Sequence, residues 1–198
     1  MTDTRERMME TATTAFAERG FHGTSLAAIA APLPFTKQAL LHHFGSKEKL
    51  YGEVLRRISD GLMAVLEGAD DQTEAPRIQL EHILLALYRH SAAQRTETRL
   101  LMRELLDNQR RAETAKTWYL KPFLEAITDR VQAASANKLE RETALVVAYQ
   151  LLGAMTYFVV STPTLTAMFG EAMVDELGAR FEAQLRKLLT ARLELPGG

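Results

Sequence analysis

An all-α fold is what the sequence predicts, on three observations. Nearly every long segment carries apolar residues at i, i+3 and i+4, the spacing that gathers them on one face of a helix. No run alternates apolar and polar residues between turn signals, as a half-buried strand would. Glycine, proline and asparagine punctuate the chain at residues 19–20, 22–23, 32–35, 45, 68–76, 108–114, 137, 162–163 and 170, cutting out about nine helices. The helices before Gly45 are short, and those after Pro76 are longer and more apolar. The expected organisation is a three-helix N-terminal domain over residues 1–50, joined by a long connector helix to a larger helical domain over residues 51–198.

Helix one is expected over residues 3–19, with Met8, Ala12, Ala15 and Phe16 facing inward and Gly20 as its stop. The second begins after Thr24 or Ser25, both good N-caps, and buries Leu26, Ile29 and Ala30. Pro32 ends it, because a proline in a continuing helix would clash with the carbonyl of Ala28. A three-residue connection leads to Thr36, another N-cap. The helix that follows has about two turns and stops at Phe44-Gly45.

This third helix turns Ala39, Leu40 and Phe44 inward and leaves Lys37, Gln38, His42 and His43 as outward, DNA-facing candidates, with His43 also expected to pack and help seat the helix. Helix, tight turn and short helix with a polar N-terminal face form the helix-turn-helix layout, whose second helix enters the DNA major groove. The residue types suit that role. Lys37 can meet guanine acceptors or a phosphate, Gln38 can pair with adenine, and Thr36 can contact a phosphate or a thymine methyl. Ser46 caps the connector helix, whose unpaired amides favour a nearby phosphate, and Lys47 adds a direct phosphate contact. Adjacent histidines on a helix point about 100° apart, so His42 and His43 do not converge on one metal ion.

The stretches AFAERGFHGTSLAAIA, TKQALLHHF and GSKEKLY, at these spacings over about residues 7–51, resemble the DNA-binding domain of the TetR family of bacterial transcriptional regulators. The resemblance implies a homodimer that binds a palindromic double-stranded operator through helix three. It implies backbone contacts at Thr24 and Lys47, with Ser25 beside them. It also implies a divergent C-terminal ligand-binding and dimerisation domain whose small-molecule effector relieves repression. Two positions depart from the family pattern. Pro34 stands where the turn usually has glycine, and it pushes Leu33 out of the helical region. Leu41 stands where the recognition helix usually has an aromatic residue touching phosphate, a contact that falls here to His42.

Composition limits the alternatives. With Lys+Arg 24 against Asp+Glu 25 the net charge is -1, so nucleic-acid binding must be local and not a global basic field. The absence of cysteine removes thiolate metal sites, disulfides and thiol nucleophiles. The N-terminal MTDTRERMME has no apolar core followed by a small-residue cleavage site, so a cytoplasmic location is expected. ALVVAYQLLGAMTYFVV at 144–160 is shorter than the roughly 20 residues a membrane span needs, and it contains Gln150 and Thr156. A buried helix is expected there, with no membrane partner.

In the C-terminal domain, Trp118, Tyr119, Pro122 and Phe123 form the densest aromatic cluster. Pro122 either bends a helix beside Trp118 and opens a pocket or begins a new helix at its first turn. The expected effector-binding residues are Met102, Leu106, Trp118, Phe123, Tyr149 and Tyr157. His82 and His90, eight apart on one helix, share a face and are read as surface or core histidines.

The helix at 140–161 is apolar all round, with Leu145, Ala148, Tyr149, Leu152 and Met155 on one stripe and Val146, Gly153, Tyr157 and Val160 opposite. With the last helix, whose inner side is Val174, Leu177, Phe181, Leu185, Leu188 and Leu189, it is expected to form a four-helix interface in a symmetric homodimer. An all-helical enzyme and a helical adaptor are the rival classes. The chain has no pair of Glu-x-x-His motifs, no serine elbow and no phosphate loop, and an adaptor leaves Lys37 and Gln38 unexplained. No catalytic residue, metal ligand or cofactor is assigned.

Overall fold

The computed structural model describes residues 4–107 and 119–194, and among these every regular element is a helix. In chain order they are α1 (Thr4–Gly23), α2 (Leu26–Ala30), α3 (Lys37–Phe44), α4 (Lys47–Ala69), α5 (Pro76–Ala93), α6 (Arg95–Asp107), α7 (Lys121–Ala134), α8 (Arg141–Phe169) and α9 (Glu171–Glu194). The chain divides into two compact units. One comprises Met1–Gly61 with Gln94–Leu120, the other Leu62–Ala93 with Lys121–Gly198. The sequence-based division at residue 50 thus differs from the grouping by compactness, which takes α6 into the first unit because α6 packs along α1.

The first unit is built around α1. Met8, Ala12, Ala15 and Phe16 are buried as the periodicity requires, and Met9 and Ala17 join them. Gly20, at φ 73 and ψ 173, breaks the regular helix inside α1. That positive φ is readily adopted only by glycine. Phe16 meets Tyr51 of α4 edge-on at 4.8 Å between ring centroids, and Phe21 lies 5.0 Å from the same ring. Gly52 is buried against Tyr119, whose hydroxyl would lie 2.7 Å from a Cβ at that position, and the Ser59 hydroxyl donates to the Tyr119 carbonyl at 2.6 Å.

In the second unit α8 packs against α5, α7 and α9. Buried Tyr88 of α5 and half-buried Phe158 of α8 and Phe181 of α9 form an aromatic cluster, with centroids 4.8 Å apart for the tilted pair Tyr88 and Phe181 and 4.4 Å for the stacked pair Phe158 and Phe181. The expected break at Thr162-Pro163 does not occur, since α8 runs through Pro163 to Phe169. Just before the proline, the Thr162 and Ser161 hydroxyls donate to the Phe158 carbonyl at 3.0 and 3.1 Å. Pro122 is the second residue of α7. In a first turn its missing N–H deprives no carbonyl of a partner, so it starts a helix and does not bend one.

α8 is long and apolar enough to cross a membrane, and 33% of its most apolar window is buried inside the chain. The expectation of a buried helix is therefore met on one side only. Ala144, Val147, Ala148, Leu151, Met155 and Val159 form the inner stripe, while Leu145, Val146, Tyr149 and Tyr157 are exposed.

Candidate nucleic-acid interface

Local hydrogen bonds set the helix-turn-helix. The Ser25 side chain caps α2 by accepting the Ala28 N–H at 3.1 Å. After Ala30 the chain leaves the helix, and Leu33 donates to the Ala30 carbonyl at 2.9 Å. The Thr36 side chain then accepts the Ala39 N–H at 3.3 Å and starts α3. Gly45, at φ 79, closes α3 with its N–H on the Leu41 carbonyl at 2.8 Å. Ser46 caps α4 in turn, accepting the Lys49 N–H at 3.2 Å. Leu40 and Phe44 are buried and hold α3 to the unit, with Arg5 lying 5.1 Å above the Phe44 ring.

On this frame Ser25, Thr36, Lys37, Gln38, His42 and His43 are all exposed. His43 thus stands outside with the other DNA-facing candidates and is not packed into the unit. Its ring lies 5.8 Å from that of His42 at an interplanar angle of 74°, so the two do not converge. Positions 38 and 42 fall opposite the buried pair Leu40 and Phe44, because 3.6 residues make a turn.

Two residues expected to contact the DNA backbone also have partners inside the chain. Thr24 is 1% exposed, and its hydroxyl is shared between the carbonyls of Ala15 at 3.1 Å and Gly20 at 2.8 Å. The break at Gly20 leaves carbonyls at the end of α1 that need a donor, and Thr24 supplies it. Its side chain is thus an internal brace. Lys47 is half-buried, donating from Nζ to the Phe21 carbonyl at 2.9 Å and the Thr24 carbonyl at 3.0 Å, and sits 4.2 Å above the Phe21 ring. One of its three donors remains for an anion.

An open depression of about 420 Å³ is lined by His22, Gly23, Thr24, Ser25, Leu26, Ala28, Lys37 and Lys47. Two ammonium groups and no carboxylate line it, so it favours an anion such as a backbone phosphate. His22 and Gly23 appear in the sequence only as a helix break. Nothing local signals that the break lies against the start of α3. The amide of Glu48 is less available than the cap alone suggests. Glu48's own backbone N–H, then the Ser46 hydroxyl, hold its carboxyl below the usual carboxylate range.

Residues 8–54 match the family model for bacterial regulatory proteins of the tetR family. The chain has an N-terminal DNA-binding domain of the TetR type. It is 34% identical over 84 residues to the HTH-type transcriptional repressor KstR2 of Mycobacterium tuberculosis, covering 42% of each chain. It is 41% identical over 63 residues to the HTH-type transcriptional regulator RutR of Escherichia coli, covering 32% of this chain and 30% of RutR. The matched part is thus less than half the length of these curated relatives. The solved structure of the ketosteroid transcriptional regulator KstR2 of Mycobacterium tuberculosis shares the fold across 94% of this chain and 95% of that one, at TM-score 0.70 and 20% identity.

Outside this TetR-type domain, the residues expected to bind an effector differ in their surroundings. Met102 is half-buried and Leu106 exposed on α6, and Phe123 is buried on α7. Tyr149 and Tyr157 are 50% and 70% exposed on α8, so they line a surface and not an enclosed cavity. An apolar helix lacks the contrast that would tell its inner face from its outer one. Trp118 lies outside the described residues. His82 pairs with Glu74 at 2.9 Å and both are partly exposed, a surface contact.

Proposed function

We propose that the chain is a ligand-responsive transcriptional repressor that binds a palindromic operator as a homodimer in the cytoplasm, and that it is not an enzyme. The observation that carries the reading is α3 itself: a helix capped by Thr36, pinned by buried Leu40 and Phe44, with Lys37, Gln38 and His42 exposed beside a carboxylate-free depression. Lys37 and Gln38 are assigned to base edges. Ser25, Thr36, Lys47 and the main chain around Thr24 are assigned to phosphates. The exposed apolar side of α8, together with α9, supports a second copy of the chain as its cover. Half-sites then lie about 34 to 36 Å apart or at multiples of that spacing. A small-molecule effector acts by favouring a dimer shape that misses it.

Fluorescence anisotropy with duplexes from the DNA upstream of the chain's own coding sequence tests the reading. Affinity should fall with salt at a log-log slope of about -0.9 for each phosphate contact. Binding indifferent to salt, or equal for all duplex sequences, would overturn it. Effectors are to be sought as small molecules that raise the thermal midpoint and release the duplex.

A further inference from the structure

We infer that Leu41 reads a thymine methyl group, and so is a specificity-determining residue of α3. This rests on the proposal that α3 enters the major groove. Leu41 is 37% exposed on a helix whose other outward residues, Lys37, Gln38, His42 and His43, are all polar. The exposure does not come from fraying, because the Leu41 carbonyl accepts the Gly45 N–H at 2.8 Å within the closing turn. Its neighbour Leu40 is 0% exposed, so the unit already has its packing leucine at this level of the helix.

Helical spacing brings Leu41 beside Lys37, four residues back, and Gln38, three residues back. A leucine side chain can neither donate to a phosphate nor accept from a base amine. Among the base-edge groups of the major groove the thymine C5 methyl is the apolar one. With a rise of 1.5 Å per residue, Leu41 lies roughly 4.5 Å further along the helix than Gln38. The methyl it meets therefore belongs to a base pair one or two steps from the adenine assigned to Gln38.

The test uses the full chain and a duplex enriched by it from a randomised pool. Each thymine of that duplex is replaced in turn by uracil, which removes the C5 methyl and nothing else. One thymine per half-site should lose about fourfold in affinity, the value of one buried methyl. Leu41→Ala should bind the thymine and uracil duplexes alike, while Leu41→Met, which keeps an apolar side chain, should still prefer thymine. A wild-type chain indifferent to every replacement, or Leu41→Ala with its sensitivity intact, overturns the inference while leaving the DNA-binding reading standing. A pool that yields no enriched sequence removes both.

Discussion

Lys37 and Lys47 line the same depression, yet their side chains are anchored differently. Lys37 is exposed at the start of α3, whereas Lys47 spends two donors on the Phe21 and Thr24 carbonyls and covers the Phe21 ring. Removing each should therefore have a different consequence. Lys47→Ala is expected to cost about 1 to 3 kcal/mol of stability, the range for hydrogen bonds to a charged group with a cation–π contact. It should also weaken binding to all duplexes alike. Lys37→Ala should leave stability within about 0.5 kcal/mol and lose discrimination at one base pair. Urea unfolding beside anisotropy on operator variants separates the two. Equal loss of stability would mean that Lys47 is not the brace its contacts describe.

At the scale of the element, α3 is a short helix that owes its start to one side chain. The Thr36 hydroxyl is the acceptor for the Ala39 N–H. Thr36→Ala is expected to cost about 1 kcal/mol and to weaken operator binding by loosening the first turn, where Lys37 and Gln38 sit. Thr36→Asn restores a capping oxygen, so the denaturation midpoint should return close to that of the unaltered chain. A midpoint that stays low with asparagine would show that the hydroxyl acts other than as a cap. In α8 the helix continues through Pro163 although the ring removes a donor, and interior proline costs about 3 kcal/mol relative to alanine. The long helix persists because its inner stripe is buried against three neighbours.

The whole molecule presents an apolar side of α8 that the chain itself leaves open. Val146, Tyr149, Gly153 and Tyr157 follow one another at helical spacing on that side, and a Cβ at Gly153 or at Gly178 of α9 would meet nothing within 4 Å. Leu185, which the sequence suggested as a seam residue, is buried within the chain and belongs to its core. On the proposed homodimer, the double variant Tyr149→Asp with Tyr157→Asp should therefore keep its helical circular dichroism while shifting sedimentation from dimer to monomer. Buried unpaired charge at the seam is the cause. Operator binding should fail with it. An unchanged dimer would put the interface on another surface.

Local chemistry made much of this legible before any fold was known. Gly20, Ser25, Pro32, Thr36, Gly45 and Ser46 act through main-chain geometry within a few residues, so the sequence by itself determined the helix-turn-helix and the buried face of α3. Polar and apolar residues alternate there with enough contrast for periodicity to separate inside from outside. That contrast is missing in α8, where tertiary packing alone decided that Ala144, Val147 and Leu151 go in and Val146 and Tyr157 stay out. Packing likewise decided that Thr24 and Lys47 serve the end of α1, because their partners are carbonyls freed by a turn and no side-chain pattern marks them. Periodicity records how a segment sorts its own residues. Which neighbour satisfies a loose carbonyl, or covers one of two apolar faces, depends on chain segments distant in sequence.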